Sequence, residues 1–492
     1  MNLARIFERH VASRRVAYVD LSGPTVRRAT FDDLDALSGR IAAGLAARGL
    51  EPGDGVGILA ANSLEYAGLY FGICRGGFVT MPLNAKFPAE TLEYIARDAG
   101  MKLVIHDAAN RDRLPSVPSL EIGAPEWDAL LAGGPIAARE MRAGDVAIQM
   151  YTSGSTGRPK GVLLSHGSQL FTVEQLLGGN TRPSEDRAIV SAPMYHKNAM
   201  VSTKAALASG ACVVLLPRFD ARAYLNAIAE HRATRITGVP TMFALMTAER
   251  DLIATLDLTS VTFATIGSAP LTEALIEQVR AIFPNAGISN GYGTTEAIAI
   301  FGPHPQRKPR PTISLGYPLA AVGVRLVDAN GRDVDEGELW VRGPGVMNGY
   351  HKLPDVTAAR LTDGWYHTGD VMKRDADGWF YFVGRVDDMF VCGGENVYPG
   401  DVERLLERHP DIHQAAVVPV EDHIKGDLPV AFVVRETGAG LTEQDVKAWA
   451  LEHGPSYQHP RSVWFVDALP LASTAKIDKA ALKAEAAKRR SR

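Results

Sequence analysis

Apolar positions in the first half of the chain switch repeatedly between helical spacing and short continuous runs. Leu34, Leu37, Ile41 and Leu45 recur at helical spacing behind Thr30, which can cap a helix, and Gly49 and Pro52 close that segment. Val56 to Leu59 then reads as a short buried strand. The alternation returns downstream. Ala211 to Leu216 is a strand, Ala221 to His231 a helix, and Arg235 to Val239 a strand stopped by Pro240. Thr262 to Ile266 is another strand, ended by Gly267, and Leu271 to Phe283 a helix ended by Pro284. Strands alternating with helices predict an α/β fold with parallel-rich sheets. After about Thr312 the texture changes. Val324 to Val327, a turn at Asn330-Gly331 and Gly337 to Val341 predict a β-rich, hairpin-bearing section. From about Asp387 the chain carries strand and helix signals of its own, as a small α+β domain would.

Composition narrows the class. The 492 residues are 46% apolar and 22% charged, ordinary for a globular chain of several folding units. A net charge of -4 gives no global signal for nucleic acid or an anionic membrane. No apolar run approaches the roughly 20 residues that cross a bilayer, and Met1 to His10 lacks the apolar centre of a signal peptide. Cys74, Cys212 and Cys392 stand far apart without a CxxC pair, which argues against a disulfide framework or structural zinc and for a reducing cytoplasm. The basic end, with Lys483, Lys488, Arg489, Arg490 and Arg492, reads as a solvated, frayed helix.

One segment carries clear chemistry. After the apolar strand Val146 to Tyr151 come Thr152, Ser153, Gly154, Ser155, Thr156, Gly157, Arg158, Pro159, Lys160 and Gly161. Glycines let backbone N–H groups converge on an anion, hydroxyls add donors and Lys160 adds charge, so the segment suits phosphate. It lacks the Gly-Lys-[Ser/Thr] end of a Walker loop, and Val162-Leu163-Leu164 behind it reads as a strand where a Walker loop requires a helix. Alone, it would be read as a Ser/Gly turn.

It does not stand alone. The run Tyr151 to Gly161 resembles the signature of the adenylate-forming superfamily, which includes acyl-CoA synthetases, aryl-CoA ligases, firefly luciferase and peptide-synthetase adenylation domains. Further motifs follow in that superfamily's order: Gly291 to Glu296 (GYGTTE), Gly364 to Asp370 (GWYHTGD), Gly384 to Asp388 (GRVDD), Gly393 to Asn396 (GGEN) and Ser473 to Lys479 (STAKIDK). The likeness spans about residues 25–485. It implies a large N-terminal ATP- and acid-binding domain over 1–384, with the β-rich part at about 312–384. A hinge at 385–387 and a mobile C-terminal domain at 388–492 would follow, with Asp387 as the pivot between two working states.

The resemblance also implies roles. Lys476 would bridge the substrate carboxylate and the α-phosphate of ATP, a task suited to a point charge on a flexible stem. Here Ala475 replaces the usual glycine before it, a departure that costs energy if the loop needs positive φ. Thr295 would donate to the α-phosphate and Glu296 would ligate Mg²⁺. Thr152, Ser153, Gly154, Ser155, Thr156, Gly157 and Lys160 would hold phosphate. Gly267, Ser268 and Ala269 would line one face of adenine and Tyr292 the other, within the run Asn290, Gly291, Tyr292, Gly293 and Thr294. Asp370 would accept from the ribose hydroxyls, with Arg385 beside it. Gly393 and Gly394 would line the coenzyme A tunnel; Cys392 next to them reads as a buried spectator thiol.

His196, in Pro193-Met194-Tyr195-His196, resembles the histidine that gates the acyl pocket in acyl- and aryl-CoA ligases. No carboxylate stands nearby to pair with the ammonium of an amino acid, since Lys197 and Asn198 follow. The apolar run Ala297 to Phe301 suggests an apolar acyl or aryl acid, while Lys197 leaves room for a dicarboxylate. The implied activity is an AMP-forming carboxylic acid–CoA ligase using ATP, Mg²⁺ and coenzyme A, with no nucleic-acid partner and no transmembrane segment, and with a homodimer left open. Rival readings are a stand-alone acyl-AMP ligase loading a carrier protein, a luciferase-like oxygenase, and an inactive homologue that serves as a binding protein. No extra segment lies between Gly343 and Arg385, which favours coenzyme A, and the charged positions Lys160, Glu296, Asp370, Arg385 and Lys476 are all present, which disfavours inactivity.

Overall fold

The structure is a computed structural model describing residues 1–152, 158–178, 185–269, 271–298, 300–392, 395–422, 426–472 and 477–490. The chain divides into two compact units. The first comprises Met1–His304, Pro318–Gly323 and Val341–Tyr366; the second comprises Pro305–Tyr317, Val324–Trp340 and His367–Arg492.

The first unit holds two seven-stranded sheets, mostly parallel as the helix–strand alternation predicts. One runs Gly287–Gly291, Phe263–Gly267, Arg235–Gly238, Arg187–Val190, Cys212–Leu215, Val16–Asp20 and Arg27–Thr30, with only the last pair antiparallel. Its strands are short and rich in β-branched residues, and helices such as Ala221–His231 supply the crossovers. Thr30 caps the Phe31–Ala47 helix in a reciprocal box with Asp33. The register sets Gly238 beside Ile266 and Gly267 beside Gly291, so three strands end together. Ligands of α/β sheets collect at such carboxyl ends.

In the second sheet, Lys160–Ser165 returns antiparallel to Val146–Thr152, pairing Lys160 with Thr152. The phosphate motif therefore begins and ends on paired strands, with Thr152 and Lys160 as partners. Gly349–Tyr350 adds a strand on the far side of Lys160–Ser165, placing Tyr350 opposite Val162.

The second unit contains part of the β-rich section, with Pro318–Gly323 and Val341–Tyr366 belonging to the first. Trp365–Arg374 and Phe380–Arg385 pair antiparallel with Asp370 opposite Arg385. At the Val324–Val327 hairpin, Gly331 takes φ +80 and Asp328 accepts from the amides of Asn330 and Arg332, giving the turn its chemistry. The C-terminal part is built on the long hairpin of Ile412–Asp422 and Gly426–Arg435, with Ser462–Phe465 parallel to its second strand. Alternation divides the hairpin between two cores. Ala415, Val417, Ala431 and Val433 pack with Val402, Leu406, Val446 and Ala450, while Ala416, Val418 and Phe432 pack with Leu482 and Ala486. The basic end is helical with Lys483, Lys488 and Arg489 exposed, as expected of a solvated helix, and Arg492 lies outside the described residues. The Lys479–Arg490 helix buries an apolar stripe, and the Arg489 guanidinium lies 5.7 and 5.4 Å from the rings of Phe432 and Trp464.

Candidate active site

At the ends of the Phe263–Gly267 and Gly287–Gly291 strands, close backbone approach requires glycine. A Cβ on Gly267 would stand 2.4 Å from the carbonyl oxygen of Gly291. Ser268 follows at φ +67, a left-handed conformation that costs a non-glycine residue roughly 1–2 kcal/mol. Beyond Asn290 and Gly291, the Tyr292 ring packs on Phe301 with centroids 5.9 Å apart. The chain then folds into a tight turn. Thr294 N–H donates to the Ala297 carbonyl at 2.8 Å, and Ala297 N–H donates back to Thr294 Oγ1 at 3.0 Å. Thr295 and Glu296 occupy the bend of this turn, not the start of a helix.

Glu296 is held from two sides. Its carbonyl accepts from Met347 N–H at 2.8 Å, and its carboxylate Oε1 accepts from the Tyr350 hydroxyl at 2.9 Å. Burial first, and the Glu296 charge next, push the Tyr350 phenol far above its ordinary pKa, so it stays a neutral donor. Lys160 Nζ lies 5.9 Å from the Tyr350 ring centroid. Tyr350 thus links the hairpin of the phosphate motif to the carboxylate, a role sequence reading missed. Nothing in the local pattern marks Tyr350, which stands 54 residues from Glu296.

His196 precedes the Lys197–Ser209 helix, its ring against Tyr195 at 4.6 Å between centroids. Asn62 fixes the approach to it. The Asn62 amide accepts from Met194 N–H at 2.7 Å and donates to the carbonyls of Ala192 and Leu216 at 2.9 and 3.1 Å. Lys197 is buried, and its Nζ donates to the carbonyls of Thr294, at 3.3 Å, and Thr295. Burial, with the charge of Lys204 next, pulls its pKa down to about 7 against the opposing pull of Glu296. Two of its N–H donors thus serve the backbone just before Glu296. Seven residues along the same helix, the more deeply buried Lys204 donates to Gln169 Oε1 at 2.6 Å.

In the second unit, Arg385 donates to Asp370 Oδ1 at 2.7 Å and contacts Asp387 at 3.3 Å. Asp370 is buried, and Gly369 before it is fixed by Glu338, whose carboxylate accepts from Gly369 N–H at 2.8 Å and from Trp340 Nε1–H at 3.0 Å. Cys392 is buried, as expected of a spectator thiol. Leu471 pairs with Ile477, and Lys479 binds Glu403 at 2.8 Å, so the positions on either side of the lysine motif are anchored. Lys476 and Ala475, with Ser153, Gly154, Ser155, Thr156 and Gly157, and Gly393 and Gly394, lie outside the described residues.

Among the described residues no group of three His, Cys, Asp or Glu side chains could hold a metal ion. A single carboxylate completed by substrate phosphates is a usual magnesium arrangement. Glu296 fits it: a neutral phenol bonds one carboxylate oxygen and leaves the second for a cation.

A sequence model of the AMP-binding enzyme family matches residues 7–351, and one of the AMP-binding enzyme C-terminal domain matches 401–476. The chain is 34% identical over 461 residues to a feruloyl-CoA synthase of Amycolatopsis sp, covering 91% of this chain and 92% of that protein. It is 31% identical over 471 residues to the fatty acid–[acyl-carrier-protein] ligase ScoC of Streptomyces coeruleorubidus, covering 92% and 90%. Its structure resembles that of the anthranilate CoA ligase AuaEII in complex with anthranoyl-AMP, at TM-score 0.89 and 26% identity over 99% and 97% of the chains. With matches across both halves and nearly full-length relatives, the chain belongs to the AMP-binding enzyme family, within the adenylate-forming superfamily its motifs resemble.

Proposed function

We propose that this protein is an AMP-forming carboxylic acid–CoA ligase acting on an aryl or apolar acyl acid. In the first half-reaction a carboxylate oxygen attacks the α-phosphorus of ATP, the bond to pyrophosphate breaks and acyl-AMP forms. In the second the thiolate of coenzyme A attacks the acyl carbon, AMP leaves with the bonding pair, and the thiol proton passes to solvent.

Two anions must meet in the first step, so donors and cations aimed at the α-phosphate are the chief requirement. The observation that carries this reading is the Thr294–Ala297 turn, which presents Thr295 together with a Glu296 carboxylate oriented by Tyr350. Thr295 would donate to the α-phosphate. Glu296 would hold Mg²⁺, whose charge offsets that of the phosphates. Lys160 and the Thr152–Gly157 segment would bind phosphate oxygens, and Lys476 would contact both reacting anions. Ser268, Ala269 and Tyr292 would enclose adenine, and the paired Asp370 and Arg385 would hold ribose. His196, kept in place through Asn62, would close the carboxylate site. Asp387 would be the pivot between the half-reactions, bringing Gly393 and Gly394 to coenzyme A.

The acceptor rests on the short chain between Gly343 and Arg385 and on two CoA-ligase relatives; the name of the ScoC relative states the alternative, a carrier protein. Mass spectrometry of enzyme, Mg-ATP and a broad pool of carboxylic acids, with and without coenzyme A, tests the reading. The expected result is AMP together with one or a few acyl-CoA masses. Acyl-AMP without thioester would transfer the acceptor role to a carrier protein, and ADP in place of AMP would exclude adenylation.

A further inference from the structure

The Lys197 ammonium is buried, yet among the described residues no carboxylate forms an ion pair with it. A lysine is expensive to bury, and one that persists in the interior needs strong hydrogen bonds. The carbonyls that Lys197 serves belong to Thr294 and Thr295, which lead directly into Glu296. The three supports of this turn differ in origin. Thr294 and Ala297 bond each other within it, Tyr350 holds the Glu296 carboxylate from the second sheet, and Lys197 holds the backbone from the first turn of a helix nearly a hundred residues away. Without Lys197, two partly buried carbonyls lose a donor, and the peptide planes before Glu296 lose the contact that sets their tilt.

We infer that Lys197 is a positioning residue for the adenylation site: by clamping the carbonyls of Thr294 and Thr295 it fixes the Thr295 amide and the Glu296 carboxylate for Mg-ATP, and it takes no part in recognising the acid. The inference rests on the proposed role of Glu296 as the magnesium ligand. The same contacts separate Lys197 from His196, its neighbour in sequence, which faces the acid in the proposed mechanism.

The test compares Lys197→Met with Lys204→Met. Lys204 is a still more deeply buried control on the same helix that bonds Gln169 and does not touch the turn. Calorimetric titration with ATP is run in Mg²⁺ and in EDTA, alongside ATP–pyrophosphate exchange with the acid found in the mass-spectrometric screen. Groups that orient a metal ligand typically change affinity or activity by about 10- to 100-fold when removed. Lys197→Met is expected to weaken ATP binding in Mg²⁺ and slow exchange within that range, while ATP affinity in EDTA and the KM for the acid stay within about twofold of the parent. Lys204→Met is expected to match the parent in both assays. A Lys197→Met protein indistinguishable from Lys204→Met would overturn the inference, as would a rise confined to the KM for the acid. If Lys197→Met does not accumulate folded, Lys197→Gln, which keeps two N–H donors on a shorter stem, takes its place with the same criteria. If the parent binds ATP but supports no exchange with any acid, the ligase reading fails, and the Mg²⁺ and EDTA titrations still decide the role of Lys197.

Discussion

Replacing Gly267 with alanine perturbs the adenine side of the site through the backbone alone. The new Cβ would stand 2.4 Å from Gly291 O, 3.0 Å from its carbonyl carbon and 3.1 Å from its Cα. None of these atoms is the movable end of a side chain. Restoring ordinary van der Waals separation requires the strand ends to part by roughly 1 Å. Overpacking of this kind typically costs about 1–3 kcal/mol. The functional effect should be larger, because Ser268 and Tyr292 ride on the displaced ends, and a 1 Å misplacement of positioning groups can cost about 100-fold in rate. Gly291→Ala is the matched control. Its Cβ would meet Thr265 Cγ2 at 3.0 Å and nothing else closer than 3.7 Å, so a small side-chain adjustment can absorb it. In ATP–pyrophosphate exchange, Gly267→Ala should lower kcat/KM for ATP by about 10- to 100-fold, and Gly291→Ala by no more than a few-fold. Equal losses in the two variants, or parent-like activity in Gly267→Ala, would refute the claim that backbone approach at this strand pair sets the nucleotide site.

Other outcomes follow from single contacts. Tyr350→Phe removes a hydrogen bond to a carboxylate, worth about 1.5–3 kcal/mol, and should weaken Mg-ATP binding by roughly 10-fold in calorimetry; unchanged affinity would detach Tyr350 from the site. Lys476→Ala should slow acyl-AMP formation by about 100-fold or more and largely spare thioester formation from supplied acyl-AMP; equal loss of both half-reactions would contradict its assigned role. Burial raises the Glu407 carboxyl from 4.5 to about 7, against the pull of the Ala415 N–H and with the charge of Glu403 adding to the rise. A raised carboxyl contributes stability that is full below pH 4.5 and lost as pH climbs through 7. Glu407→Gln should therefore match the parent near pH 4 and exceed it by about 2–3 kcal/mol near pH 8, discounting for partial exposure, when amide exchange of Val417 and Val433 is compared at each pH; a pH-independent difference would refute the assignment.

Local physics made much of the fold legible. Thr30 and Asp33 form a capping box from residues three apart, and Asn330-Gly331 makes the turn its φ preferences favour. The helix Ala221–His231 and the strand pair around the phosphate motif follow from period and residue type. The ordered motifs placed most candidate positions without any structure, because each motif is contiguous and its chemistry is carried by residue type. What sequence could not supply was who holds whom. Glu296 depends on Tyr350, the turn before it on Lys197, and the loop before His196 on Asn62, over separations of 54, 97 and 132 residues. The Arg489 side chain reads as a solvated charge and is exposed, but only the folded hairpin places Phe432 and Trp464 beneath it. These pairings depend on sheet register and on which helix end meets which turn, quantities fixed by the joint packing of distant segments. Residue type and local spacing thus determine the elements and the chemistry on offer, and tertiary packing decides which buried donor finds which acceptor.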